Sequence, residues 1–170
     1  MRVVGFAGWS GAGKTTLLRK VIPSLIAAGY SVSTVKHAHH EFDVDQPGKD
    51  SWEHRQAGAS EVLVGSAARW ALMHELRGSP EPELHALLSR LSPVDVVLVE
   101  GFKRGTYPKI EVHRKANSKR FLHLDDASII ALVSDDVTPA QIPQVGLDDV
   151  EGVVALVLEH AAPFSVSHQD

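Results

Sequence analysis

The segment over residues 8–15 constrains the fold more than any other part of the chain. It reads GWSGAGKT and matches the phosphate-binding pattern G-x-x-x-x-G-K-[ST] in full. An apolar, strand-like run over 3–7 precedes it, and a run over 16–28 that is typical of a helix follows it. Such a loop surrounds phosphate groups with backbone N–H groups, and the following helix adds its own N-terminus. The sequence therefore predicts an α/β fold of the P-loop NTPase type, with a mostly parallel sheet flanked by helices.

Most positions of this loop have a predicted role in binding a nucleotide. Lys14 would reach the β- and γ-phosphates and act in catalysis, and the hydroxyl of Thr15 would bind Mg²⁺. The other residues predicted to contact the nucleotide here are Gly8, Ser10, Gly11, Ala12, Gly13 and Thr16.

The overall composition limits the classes of protein to consider. The 170 residues suffice for one nucleotide-binding domain over 1–163, with a flexible tail over 164–170. A net charge of −4 argues against a nucleic-acid-binding surface. The chain has no cysteine, which excludes disulfides and thiolate metal sites, and no apolar run approaches membrane-spanning length. We therefore expect a cytoplasmic protein without nucleic-acid or membrane partners.

Apolar runs alternate with helical patterns along the whole chain, as in a parallel α/β sheet. The predicted strands cover 3–7, 31–36, 61–65, 69–76, 94–99, 109–113 and 129–133, and the predicted helices cover 16–28, 51–57, 80–91 and 148–160. The segments 61–65 and 69–76 are expected to form a hairpin, although the second also fits a helix.

A carboxylate follows the apolar strand over 94–99, as in a Walker B motif. Ligands gather at the carboxyl ends of the strands in an open α/β sheet, so Glu100 would lie near the metal or the γ-phosphate. It would hold Mg²⁺ or orient an attacking water, which makes it a candidate catalytic residue. The alternative is a glutamate that merely ends a strand. Nearby Lys103 would contact phosphate or another anion, or belong to a solvated loop.

The polar segment over 36–51 also begins at the end of a predicted strand. Its clustered His and Asp residues would suit a transition metal. Alternatively it is a switch-like loop, with Asp43, Asp45 or Asp50 near Mg²⁺. Lys36, Asp50 and either His37 or Lys49 would then lie near the nucleotide. The third possibility is a polar surface loop without a ligand.

Recognition of the base is less well defined in the sequence. The guanine-reading motif N-K-x-D is absent, but the strand over 129–133 is followed by Ser134, Asp135 and Asp136. A carboxylate there, with Asp135 as the candidate, would accept hydrogen bonds from N1–H and the 2-amino group of guanine, which adenine lacks. The alternative is an aspartate that caps a helix or a turn.

Together these segments resemble the MobB family of molybdopterin-guanine dinucleotide biosynthesis adapter proteins. The resemblance rests on FAGWSGAGKTT, TVKHAHH, PGKDS and VEGFK, and it covers nearly the whole chain. It implies a GTP- and Mg²⁺-binding protein with weak GTPase activity, usually homodimeric, that assists the guanylyltransferase attaching GMP to molybdopterin. Molybdopterin-handling proteins are further implied partners, and the hairpin over 61–76 is the implied dimer element. A small-molecule kinase, with 114–120 as its lid, and a nickel-delivery GTPase are the alternatives.

Overall fold

The computed structural model describes residues 1–38, 42–102, 105–138 and 141–164, and it consists of two compact units. One unit comprises Met1–His37 and Leu84–Asp170, and we call it the sheet unit. The other comprises Ala38–Glu83, and we call it the hairpin unit. A single domain over 1–163 stays a prediction, and the predicted tail lies outside the described residues except for Phe164.

The helices and strands alternate as the sequence predicts. In chain order they are β1 (Arg2–Ala7), α1 (Lys14–Ala27), β2 (Val32–Lys36), α2 (Asp50–Gln56), β3 (Glu61–Gly65), β4 (Trp70–His74), α3 (Leu84–Leu88), β5 (Val96–Glu100), β6 (Lys109–His113), β7 (Ile129–Ser134), β8 (Gln144–Val145), α4 (Val150–His160) and β9 (Ala162–Pro163). A short 3₁₀ helix, Lys115–Asn117, follows β6.

The sheet unit is built on a mostly parallel sheet with the strand order β2-β5-β1-β6-β7-β8. All neighbours in this order are parallel, and β9 adds an antiparallel pairing to the start of β1. This architecture confirms the predicted fold class. Phe6 of β1 is level with Glu100 of β5, and Glu100 is level with Lys36 of β2. The carboxyl ends of these strands therefore meet at one edge of the sheet, where α/β proteins bind ligands.

Strands β1 and β5 are buried on both faces of the sheet, which explains why their sequences are almost entirely apolar. Val4 and Phe6 of β1 pack in one core with the buried faces of α1 and α4, whereas Val3 packs on the opposite face with Val97 of β5. The start of α4 is capped by Asp149, whose carboxylate accepts the Gly152 N–H at 2.9 Å.

The helix predicted over 80–91 is shorter in the structure, which has only Leu84–Leu88. Pro82 disfavours the helical conformation of Glu81, so a helix cannot run on from Pro80. The strands β8 and β9 were not predicted, because two residues are too few to show a periodic pattern.

The hairpin unit contains α2 and the antiparallel pair β3 and β4, so the predicted hairpin is present and its second segment is a strand. Arg55 of α2 connects its parts. The guanidinium donates to Asp43 at 2.7 Å, to Glu75 at 2.8 Å and to Asp45 at 3.3 Å. Hydrogen bonds from the Asp45 backbone and the Arg55 side chain hold the pKa of Asp43 below its usual value.

Candidate functional site

The predicted phosphate loop lies between β1 and α1 and has the backbone that the motif requires. Gly13 immediately precedes α1 with φ +96°, in the left-handed region that favours glycine. Gly8 has φ +152°, and a Cβ atom there would collide with the carbonyl of Val112. Two of the motif glycines are therefore required by conformation and by close packing.

The Lys14 ammonium lies over the loop. Its Nζ donates to the carbonyl of Gly8 at 2.8 Å and to that of Trp9 at 3.2 Å. The Trp9 carbonyl also accepts the Ala12 N–H at 3.1 Å, which closes the turn. A phosphate group entering the loop would thus meet a positioned cation at the N-terminus of a 14-residue helix.

A hydroxyl and a carboxylate meet at the end of the phosphate loop. The Thr15 hydroxyl donates to Glu100 Oε1 at 2.8 Å, and Lys36 Nζ lies 3.8 Å from Glu100 Oε2. The Glu100 side chain is only 12% exposed, so its carboxylate is fixed at the end of β5. Hydroxyl and carboxylate oxygens are the donors that Mg²⁺ prefers, and they fit this ion. The structure brings together three of the residues that the sequence singled out.

His37 continues this edge of the sheet. Its backbone N–H donates to the Glu100 carbonyl at 2.8 Å, and its ring lies 4.9 Å from the ring of Phe102, centre to centre. Asp50 is the first residue of α2 in the hairpin unit. Lys103, His39 and His40 lie outside the described residues. Within 1–38, 42–102, 105–138 and 141–164, no three His, Asp or Glu side chains are grouped as a metal site would require.

Asp135 lies directly after β7 and is partly engaged by the chain itself. Its Oδ1 accepts the backbone N–H of Lys115 at 2.7 Å, and its Oδ2 is 3.9 Å from Arg114 Nη1. The side chain is 40% exposed. A hydrogen bond from the Lys115 ammonium lowers the pKa of the neighbouring Asp136. Reading of guanine by Asp135 stays a prediction.

The residues 114–120, which we call the basic segment, contact the phosphate loop. Asn117 Nδ2 donates to the Ser10 carbonyl at 3.4 Å, and Trp9 Nε1 donates to the Arg120 carbonyl at 2.8 Å. From the sequence, this segment is interpreted only as the lid of a kinase. Its four cations within seven residues were the available signal.

A buried acid on β6 is not among the functional residues predicted from the sequence. Glu111 has no exposed surface. Its oxygens accept the Leu122 N–H at 2.7 Å and the His123 N–H at 3.0 Å, and lie 2.7 Å from His123 Nδ1. All five residues of β6 are buried, although a strand with an alternating sequence such as KIEVH commonly has one solvent-facing side. Glu111 thus joins β6 to the chain that follows the basic segment.

Comparison with known proteins adds the family. The model of the family "Molybdopterin guanine dinucleotide synthesis protein B", MobB, matches residues 3–135. The chain belongs to the MobB family. This MobB-family chain is 44% identical over 160 residues to the molybdopterin-guanine dinucleotide biosynthesis adapter protein of Escherichia coli K12, covering 92% of the chain and 91% of that relative. It is 45% identical over 127 residues to the protein of the same name from Haemophilus influenzae, covering 73% and 70% respectively.

Solved MobB structures have the same fold as this MobB-family chain. A crystal structure of molybdopterin-guanine biosynthesis protein B aligns with a TM-score of 0.73 at 26% identity, covering 92% of this chain and 98% of the other. Bacillus subtilis MobB aligns with a TM-score of 0.74 at 24% identity, covering 96% and 100%. None of the helices in the described parts of the chain is long and apolar enough to cross a bilayer.

Proposed function

We propose that this protein is a GTP-binding adapter with weak GTPase activity. In this role it would assist a guanylyltransferase in attaching GMP to molybdopterin during molybdenum cofactor biosynthesis. The observation that carries the proposal is the phosphate loop with the Thr15–Glu100 pair beside it, 2.8 Å apart, in a chain of the MobB family. The names of the E. coli and H. influenzae relatives describe adapter proteins of molybdopterin-guanine dinucleotide biosynthesis.

In this proposal the backbone of the phosphate loop and Lys14 bind the phosphates of GTP. Thr15 and Glu100 hold Mg²⁺, which would neutralise phosphate charge when bound. Glu100 would also orient the attacking water, and Lys14 would stabilise the charge that develops during hydrolysis. Support comes from the fixed carboxylate of Glu100, since a nearly buried side chain loses little freedom on binding the ion.

The remaining predicted contacts belong to the same proposal. Lys36 and His37 stand at the edge of the sheet beside Glu100, and both would face the nucleotide or a partner. Asp135 would read guanine with the oxygen that does not accept the Lys115 N–H. Asp50 and Lys103 stay candidates for the metal and the phosphates respectively.

An adapter needs surfaces for other proteins, and the hairpin unit offers an apolar one. Leu63 pairs with Leu72 across β3 and β4, and Trp70 lies on the same face of the hairpin. Leu63 is 65% exposed, Leu72 43% and Trp70 66%. We propose that a second copy of the chain covers this face, so that the protein is a homodimer. We also propose that it acts in the cytoplasm. Other partners would be the guanylyltransferase and molybdopterin-handling proteins.

Titration calorimetry with GTP and ATP in the presence of Mg²⁺ tests the proposal. The wild type should prefer GTP, and Lys14→Ala should lose roughly 10- to 100-fold in GTP affinity, because one charge-assisted contact disappears. Lys20→Ala is the matched control, since this lysine lies on the same helix and pairs with the exposed Asp148 at 3.0 Å. A preference for ATP, or wild-type affinity in Lys14→Ala, would contradict the proposal.

A further inference from the structure

The phosphate loop has charged residues on both sides. The proposed function uses those at the end of β5 but not the cations that follow β6. Strand β1 lies between β5 and β6. Glu100 ends β5, and Arg114 directly follows β6. Because all three strands are parallel, these two residues flank the phosphate loop from opposite sides. The acidic side suits a metal ion, and the basic side suits an anion.

Three of the four cations of the basic segment interact with another side chain. Lys115 pairs with Asp136 at 3.2 Å, and Arg120 pairs with Asp125 at 2.9 Å. Lys119 lies 5.8 Å from the centre of the Trp9 ring. Arg114 differs, because its nearest carboxylate oxygen, on Asp135, is at 3.9 Å, beyond hydrogen-bond length.

The guanidinium of Arg114 lies close to Gly13, the last glycine of the phosphate loop. A Cβ atom placed on Gly13 would be 3.5 Å from Arg114 Nη2, and Gly13 is the residue that immediately precedes α1. The backbone N–H groups that follow it are those that hold phosphate oxygens at the start of such a helix. The Arg114 side chain is 43% exposed, so a ligand can reach it.

The backbone on either side of Arg114 is held in place by hydrogen bonds of the basic segment. Asp135 accepts the N–H of Lys115 at 2.7 Å, next to Arg114 in the chain. Further along, Asn117 donates to the Ser10 carbonyl at 3.4 Å, and Trp9 donates to the Arg120 carbonyl at 2.8 Å. The segment therefore presents Arg114 to the loop before a ligand arrives, which lowers the entropy cost of binding.

We propose that Arg114 is a second phosphate-binding cation, which contacts the nucleotide from the side of the loop opposite Glu100 and the metal. This inference rests on the proposed nucleotide binding and adds a binding residue to that site. Arginine suits the role because its planar guanidinium can donate two parallel hydrogen bonds to one phosphate group. Lys14 and Arg114 would then both contact the phosphates, and Thr15 and Glu100 would hold Mg²⁺.

The test measures affinity for Mg²⁺–GTP and for inorganic tripolyphosphate, which carries phosphates but no nucleoside. Arg114→Ala should weaken both ligands by a similar factor of roughly 10 to 100, and Arg114→Lys should weaken both by a smaller factor. Arg90→Ala is the matched control. It removes the same charge from an exposed site before β5, at the opposite end of the strands from the phosphate loop, and it should leave both affinities unchanged.

Other outcomes overturn the inference. If Arg114→Ala weakens GTP but not tripolyphosphate, Arg114 serves the nucleoside and not the phosphates. Unchanged affinity for both ligands, or an equal loss in Arg90→Ala, removes the assignment as well. Circular dichroism checks folding, and Arg114→Lys carries the test if the alanine variant does not fold. Wild-type protein that binds tripolyphosphate but not GTP would refute the proposed function, while the Arg114 comparison with tripolyphosphate still decides this inference.

Discussion

Replacing Glu111 by glutamine should destabilise the sheet unit strongly, although the two side chains have nearly the same shape. The Glu111 carboxylate is fully buried on β6 and makes three short contacts. Two of them accept the backbone N–H groups of Leu122 and His123, and the third joins Oε2 to His123 Nδ1 at 2.7 Å. The His123 side chain is itself only 3% exposed.

The magnitude follows from what glutamine can replace. Its single oxygen can occupy the position of Oε2, but its NH₂ group would then face the N–H of Leu122, which donates at 2.7 Å in the wild type. One hydrogen bond is lost with two donors left in contact, and the bonds to His123 lose their charge. Hydrogen bonds to charged groups contribute about 1.5–3 kcal/mol each. A buried donor left without a partner costs a further ~1–3 kcal/mol, and we expect a total loss of about 2–5 kcal/mol.

Urea unfolding followed by circular dichroism measures this loss, and the chain contains a matched control. Glu61 Oε1 lies 2.7 Å from His74 Nδ1, the same separation, but these side chains are 47% and 54% exposed. Exposed pairs contribute about 0–1 kcal/mol, so Glu61→Gln should change the free energy of unfolding by less than ~1 kcal/mol. Equal losses in the two variants would refute the argument from burial. Hydrogen exchange should also become faster at the Leu122 amide in Glu111→Gln and stay unchanged in Glu61→Gln.

Two further predictions concern function. Glu100→Gln should retain most of its GTP affinity but hydrolyse GTP roughly 10- to 100-fold more slowly, because the carboxylate that would hold Mg²⁺ and orient water is gone. Single-turnover kinetics measure this rate, and hydrolysis at the wild-type rate would leave Glu100 a structural role only. Leu63→Glu should convert the proposed dimer into a monomer in sedimentation velocity, because it places a charge in the centre of the exposed apolar face of the hairpin. A wild-type monomer, or a variant that remains dimeric, would contradict the proposed interface.

The phosphate loop and its surroundings were predictable because local sequence determines them. The motif over 8–15 specifies its own backbone, since Gly8 and Gly13 are needed for packing and conformation. Glu100 was found by the rule that parallel strands present their carboxyl ends to a ligand. Its hydrogen bond with Thr15 spans 85 positions in sequence, and the topology of the sheet brings the two residues together.

The other side of the site was not predictable, because it depends on which segment covers β6. The alternating sequence KIEVH is typical of a strand with one solvent-exposed face. In the structure Lys109, Glu111 and His113 are all buried, since later residues fold over them. Lys109 Nζ donates to Asp126 at 3.0 Å and to Ser128 at 2.8 Å. These partners are 17 and 19 residues away in sequence, and no local pattern predicts such pairings.

The buried acid and the basic segment belong to one stretch of chain, and this connects stability with ligand binding. Glu111 holds the backbone at Leu122 and His123, so the chain from β6 returns to its starting point after about a dozen residues. Closing a loop this way removes conformations from the segment between its ends. Arg114 lies inside that closed loop and faces Gly13. A variant that breaks the contacts of Glu111 would keep the charge of Arg114 but allow its side chain to occupy more positions. Glu111→Gln should therefore weaken binding of tripolyphosphate as well as lower stability, and Glu61→Gln should do neither.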